Sequence, residues 1–258
     1  HIPRSTMKVT LFLVVASWLG CHGFLPGSPR RPVPVVQVPP LRLQPRHASA
    51  EDPARLGRVC AANLLSGALL GPNLDHYHGS FGVLEYVYPL TLSVQGTVLL
   101  RTSAFVPPLF GLAGLIIGGL YLFLDPALGT PVARRTPQVP KVLYGISFFS
   151  MQYYLSGLLA HAGCPLVALH AFLAATMVAC WYIFDKTLAG VIVAAATAVG
   201  GPLIEIGLVN GLHLYTYTDA DFFGVASWIP WVYGCGGPAV GNLSRLYSRV
   251  LSQDKGGH

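Results

Sequence analysis

The residues of this chain that could do chemistry are few and scattered. Asp75-His76-Tyr77-His78 sets two imidazoles beside a carboxylate, the donor set of a divalent metal site. No third ligand stands at helical spacing, so the segment reads as polar and interfacial rather than metal-binding. Asp219 and Asp221 could serve as an acid–base pair, but no third group fixes a mechanism. They equally suit the start of the last helix, whose N-terminal dipole favours an acid. A serine nucleophile needs a recognisable strand–turn–helix elbow, and none is present. The five cysteines (Cys21, Cys60, Cys164, Cys180, Cys235) form no CxxC pair and have no His at metal spacing. Asn242-Leu243-Ser244 fits the glycosylation pattern but closes an apolar run, where its use is not expected. Glu205 remains, an ionisable group inside an apolar stretch. A carboxyl there is costly if ionised, so it should be protonated, hydrogen-bonded or facing a wet cavity. With His161 and Asp221 it would supply the working groups of a small transporter or membrane-embedded lipid enzyme, provided polar residues from several helices converge at one depth. No cofactor motif is found.

The elements that must position these residues are membrane elements. The chain has 258 residues, 53% hydrophobic and only 10% charged, against about 25% charged in a soluble domain. Its mean hydropathy is +0.56. The net charge of +6 comes from Lys and Arg at the ends of apolar runs rather than in a patch, which excludes a nucleic-acid partner.

A hydrocarbon core about 30 Å thick needs about 20 apolar residues per helix. Five runs meet this, near residues 104–124, 142–160, 165–184, 189–209 and 227–246. A sixth, near 56–70, is shorter and carries Arg58 and Asn63, so it either crosses or lies in the interface. The expected fold is an all-α multi-pass membrane protein, a six-transmembrane-helix bundle. The mixed stretch 71–103, with Tyr86 and Tyr88, is expected partly at headgroup level, where Tyr is favoured. Six spans place Arg55, Arg58, Arg134, Arg135, Lys141, Lys186, Arg245, Arg249 and Lys255 on one side and Arg101 alone on the other. That is a positive-inside asymmetry with both mature ends on the positive side. No repeat of 20–50 residues is evident, which disfavours a repeat-built transporter.

The N-terminus reads as an address. Residues 1–6 precede an expected start at Met7, and Lys8 with the apolar run to Leu19 and a small-residue exit reads as a signal peptide over residues 7–23. Residues 24–50 are Arg- and Pro-rich and lack acids, like a plastid transit peptide. They read equally as a disordered linker after simple endoplasmic reticulum entry. The membrane domain is then residues 51–248, with a tail at 249–258.

Within that domain several marks recur in a fixed order. They are Val106-Pro107-Pro108, Gly119-Leu120-Tyr121, Asp125 with Leu128-Gly129-x-Pro131, His161-Ala162, and Trp181-x-x-Phe184-Asp185 with Gly190. Then follow Asn210-Gly211, Tyr217-Thr218, Asp221-Phe222, Ser227-Trp228-x-Pro230, Gly236-Gly237 and Gly241-Asn242-x-x-Arg245. This order resembles the Insig (insulin-induced protein) family of membrane lipid sensors over roughly residues 105–245. The resemblance implies a non-enzymatic regulator of the endoplasmic reticulum membrane, the plastid envelope being the alternative set by the presequence. It also implies a sterol, isoprenoid or diacylglycerol-like ligand inside the bundle, and docking onto other integral membrane proteins of lipid synthesis. Carried over, Asp185, Trp181 and Phe184 are the partner-binding residues, and Asp185→Ala is expected to abolish partner retention with folding intact. Glu205, where the family has Gln, with His161, Asn210 and Tyr121 form the lipid-binding set. Glu205 could instead make an interhelical hydrogen bond, for example to Asn242. Departures from the family are a shorter turn at Gly163-Cys164-Pro165, apolar Val167-Ala168-Leu169, Ala226 before Ser227, and two extra residues between Asn210 and Asp221.

Overall fold

A computed structural model describes residues 53–253. The expected signal peptide at 7–23, the expected transit-peptide-like or linker segment at 24–50 and residues 254–258 lie outside them.

Seven α-helices are present among the described residues, where six were expected. They are α1 (Pro53–Ser80), α2 (Val106–Ala127), α3 (Val132–Arg135), α4 (Val139–His161), α5 (Leu166–Cys180), α6 (Leu188–Asn210) and α7 (Ile229–Gln253). The extra one, α3, is a single turn. Three helices are long and apolar enough to cross a membrane by length and composition: Val106–Ala127, Leu166–Asp185 and Leu188–Asn210. The others carry more polar groups, and the structure shows where these go. Asn63 of α1 is buried, its Nδ2 donating to Ser244 Oγ at 2.9 Å. The weak first run is thus weak because part of it faces protein. At 28 residues and about 1.5 Å per residue, α1 is roughly 42 Å long.

The second departure is β-structure in an expected all-α chain. α1 continues through Pro72 to Ser80, and the rest of the mixed stretch forms strands β1 (Leu84–Tyr86), β2 (Leu90–Val94) and β3 (Thr97–Thr102). β2 and β3 make an antiparallel hairpin pairing Leu92 with Leu100 and Val94 with Thr97. Its turn, Gln95-Gly96, has positive φ at both positions (51° and 80°), the geometry that suits strand twist and favours Gly at the second position. β1 pairs antiparallel with β4 (Tyr215–Tyr217), Leu84 opposite Tyr217 and Tyr86 opposite Tyr215. Alternating Tyr-x-Tyr places both tyrosines of β4 inward.

Helix α7 is the central element and packs against α1, α2, α4, α5 and α6. Association of helices in lipid depends on close fit, and glycine supplies it. Gly111, Gly114 and Gly118 line the face of α2 against α1, where a Cβ on Gly118 would overlap the Asn63 amide. Gly119, next to them, faces open space and is not part of that surface. Pro107 and Pro108 sit in the first turn of α2, where missing amides cost no intrahelical bond. The apolar interior is built from residues such as Leu74, Val106, Tyr153, Leu173, Ile229, Val232 and Cys235.

Candidate functional site

Two polar clusters sit inside the bundle, and together they hold most of the residues singled out in the sequence. The first surrounds Arg245, one of the largest fully buried side chains. Its Nε donates to Asp125 Oδ2 at 2.8 Å and its Nη2 to Asp125 Oδ1 at 2.7 Å, a two-pronged fork. Its Nη1 donates to Asp185 Oδ1 at 2.9 Å and to Asn242 Oδ1 at 3.1 Å. Asp185 also accepts from Thr187 Oγ1 at 2.6 Å and, on its other oxygen, from the Tyr121 hydroxyl. The guanidinium lies 4.6 Å from the Tyr121 ring centroid. Arg245, Asp125 and Asp185 are only 2%, 3% and 1% exposed. Arg245 was counted among the flanking cations. It is instead an internal ion-pair partner and contributes little to sidedness, because its charge is matched within the protein.

Local structure explains how Asp185 points inward. The end of α5 does not finish as an α-helix but as a π-helical turn, Trp181–Asp185. The wider turn carries Phe184 and Asp185 to the inside together. Lys186 then adopts φ 62°, which reverses the chain. Thr187 caps α6 by accepting from Gly190 N at 3.0 Å. Gly190 is required here because a Cβ would overlap the Asp185 carboxylate. Trp181 Nε1 donates to Thr187 O at 3.0 Å, and Asn242 Nδ2 donates to Phe184 O at 3.1 Å. Asn242 therefore serves this turn and not Glu205.

Of the three residues assigned to partner binding, only Trp181 reaches the surface, where it is half-buried. Phe184 is buried against Phe148, ring centroids 5.7 Å apart. Asp185 is interior. The expectation that Asp185→Ala leaves folding intact does not fit this geometry, because the substitution strands buried donors on Arg245, Tyr121 and Thr187. Exposed Tyr182, Ile183 and Leu188 surround Trp181, with Lys186 Nζ 3.9 Å from the Tyr182 ring centroid.

The second cluster surrounds Glu205. Tyr217 donates to its Oε2 at 2.7 Å and Tyr233 to its Oε1 at 2.6 Å. Tyr215 and Asp75 also lie close enough to interact with it. Tyr153, stacked on His78 with centroids 4.4 Å apart, closes the group. His78 Nε2 is 2.8 Å from Ser156 Oγ. Residues of α1, α4, α6, α7 and β4 thus converge on one carboxyl. A Cβ on Gly201 would overlap the Tyr233 ring, so this glycine lets α7 approach α6 beside Glu205.

The lipid-binding set is divided between the two clusters and the chain turns. Tyr121 belongs to the Arg245 cluster, away from Glu205. His161 Nδ1 is 2.8 Å from Phe81 O, and Asn210 Nδ2 donates to Ile206 O and Phe223 O at 3.0 and 2.8 Å. Asp221 accepts from Ser227 N at 2.7 Å and from Ser227 Oγ at 2.6 Å, and so orders the approach to α7. Ser227 Oγ also lies 3.0 Å from His170 Nε2, while Trp231 Nε1 donates to His170 Nδ1 at 2.8 Å. His170 must therefore carry its proton on Nε2 and donate to Ser227, the reverse of a base activating a nucleophile. His76 Nδ1 accepts from Arg101 N at 2.9 Å, and no group of three or more metal-ligating side chains occurs among the described residues. The cluster residues that sequence reasoning missed are Tyr153, Tyr215 and Tyr233, whose only signal is a tyrosine in an apolar run. Asp75, weighed above as a metal ligand, instead neighbours Glu205.

No family profile matches the chain. Among curated proteins, the human insulin-induced gene 1 protein is 31% identical over 228 residues, covering 80% of this chain and 79% of the relative. The Cricetulus griseus protein of the same name is 32% identical over 177 residues, 64% of this chain and 67% of the relative. Among solved structures, a mycobacterial Insig homologue from Mycobacterium vanbaalenii superposes with a TM-score of 0.59 at 24% identity, over 74% of this chain and 94% of that one. A cross-linked trimer of that homologue gives 0.59 at 25% identity over the same shares. The apolar helices and these relatives make this an integral membrane protein, and the chain belongs to the Insig family.

Proposed function

We propose that the chain is a non-enzymatic lipid-sensing regulator of the endoplasmic reticulum membrane. It spans the bilayer with its six long helices, binds a sterol, isoprenoid or diacylglycerol-like lipid within them, and docks onto partner membrane proteins of lipid synthesis. The observation that carries the reading is the Glu205 cluster. Four elements bring polar groups to one buried carboxyl on a fifth, in a part of the bundle away from the Arg245 ion pairs, which suits an anchor for the single polar end of a lipid. Two oxygens held by Tyr217 and Tyr233 leave further lone pairs for a ligand hydroxyl. Docking is assigned to the outer surface of the π turn, Trp181 with Tyr182 and Ile183, while Asp185 and Phe184 hold that turn in shape. Ligand and partner are coupled only to the extent that the lipid prefers the docked conformation.

The test is to purify the protein in mild detergent and identify co-purifying lipids by mass spectrometry, wild type against Glu205→Leu. Enrichment of one sterol or glycerolipid, lost in the variant, supports the sensor reading. No enrichment in either removes the ligand and leaves a partner-docking scaffold.

The convergence of polar groups at Glu205 also favours a second reading, a small-molecule transporter or membrane-embedded lipid enzyme. His161 and Asp221 would not be its working groups, since each is engaged elsewhere. Flux of a lipid or its headgroup in reconstituted vesicles, abolished by Glu205→Gln, would support it over the sensor.

A further inference from the structure

A cavity of about 150 Å³ opens where the end of α4 meets the β1–β4 ribbon and the approach to α7. Aromatic side chains of Phe81, Tyr217, Trp228 and His161 line it, with Asp219 and Ala160. Taking roughly 30 Å³ per water, the space holds about five non-hydrogen atoms. That is far below the roughly 300–1,000 Å³ of a site for a drug-sized molecule, so no sterol ring system fits.

Its chemistry selects for positive charge. Phe81 O can only accept, so His161 Nδ1, 2.8 Å away, donates to it, which turns the ring's carbon and Nε2 edge toward the cavity side. The Tyr217 hydroxyl is committed to Glu205, which leaves its ring for the cavity. No Lys or Arg lines the space, and Asp219 does. α4 ends at His161, so the negative end of its dipole lies at the cavity. Among the described residues, Glu85, opposite Thr216, and Asp221, two residues from Asp219, add further acids near this ribbon. Aromatic faces, a carboxylate and a helix C-terminus form a setting in which a cation–π contact is favoured.

We propose that this cavity binds an alkylammonium group, of which the trimethylammonium of choline is the size that fills it. The group reaches it either as the headgroup of a phosphatidylcholine in the adjoining leaflet or as a free choline-like molecule. The cavity shares only the Tyr217 ring with the Glu205 cluster, and its test involves neither Glu205 nor a partner.

The experiment is calorimetric titration of the purified full chain with choline chloride against sodium chloride at equal ionic strength. It is run in phosphatidylglycerol nanodiscs and in phosphatidylcholine nanodiscs. Saturable choline binding is expected in phosphatidylglycerol. Asp219→Asn, at an exposed position, should weaken it about two- to fivefold, the effect of a partly exposed charge pair. Ala160→Phe should abolish it by filling the space. Loss of choline binding in phosphatidylcholine discs assigns the site to the lipid headgroup, and equal binding in both assigns it to a free ammonium compound. Heats indistinguishable from sodium chloride, or one affinity shared by wild type and Asp219→Asn, would overturn the proposal.

Discussion

Arg245→Met is the most informative single change. The guanidinium is shared by Asp125 on α2, Asp185 on the π turn and Asn242 on α7, so it joins three elements at one point. Methionine fills much of the same volume but removes the charge and leaves two buried carboxylates facing each other's field. Breaking a buried ion pair by removing one partner costs about 3–5 kcal/mol. For a domain of 150–250 residues, each kcal/mol lowers the melting temperature by about 2–4 °C. The expected loss is therefore roughly 6–20 °C. Arg245→Lys keeps the charge but not the fork, so it should fall between wild type and Arg245→Met. The assay is size-exclusion chromatography of detergent-solubilised protein after heating, which reads the temperature at which the monodisperse peak is lost. A midpoint for Arg245→Met within about 2 °C of wild type, less than one kcal/mol on that scale, would refute the reasoning. It would mean that the cluster does not clamp these elements.

Asp185→Ala should also destabilise, by about 3 kcal/mol or more, because Arg245 loses one carboxylate and Tyr121 its acceptor; the same heating assay reads it. Glu205→Leu should cost about 1–3 kcal/mol for each stranded tyrosine hydroxyl, and Glu205→Gln clearly less, because the amide oxygen still accepts. Gly241→Ala places a Cβ against the Tyr121 ring and should cost about 1–3 kcal/mol by overpacking, with no loss in Gly119→Ala, whose added methyl meets open space. Tyr182→Ala, at an exposed position, should leave the melting temperature within about 2 °C of wild type while lowering co-purification of a docked partner.

Much of this architecture was legible in the residues. Apolar runs at 104–124, 165–184 and 189–209 became α2, α5 with its π turn, and α6, with boundaries shifted by no more than three residues, because hydropathy reports an apolar surround directly. The run at 227–246 became α7, which continues seven residues further to Gln253 and is buried in protein. The hairpin at Leu90–Thr102 was missed although Val, Leu and Thr alternate around Gln95-Gly96. A short β signal beside strong apolar helices is easily read as interface. The site was legible as a set of residues but not as a set of contacts. Tyr121, Asp125, Asp185, Asn242 and Arg245 were each visible as marks in order, yet nothing linear says that they touch. The π turn decides this. An ordinary α-turn advances the next side chain by about 100°, and one extra residue in the turn changes which face Asp185 occupies. That is a backbone event with no separate sequence signature. Tyr153 and Tyr233 were missed, and Asp75 pointed to a metal pair rather than to Glu205, for a related reason, since the inward direction of a side chain depends on partners far away in the chain.

The bond from Asn63 to Ser244 closes a separation of 181 residues. At about 5–20 residues per second of synthesis, the first helix waits roughly 9–36 s for its partner on the last. Until then the Asn63 amide lacks Ser244, and, once made, the Asp125 carboxylate and the face of α2 that later receives α7 have no mate on the last helix. Insertion of this protein is therefore committed early but completed late. The half-made chain must be sheltered in the membrane until its final helix arrives, and a ribosome stalled before residue 229 leaves a bundle without its centre.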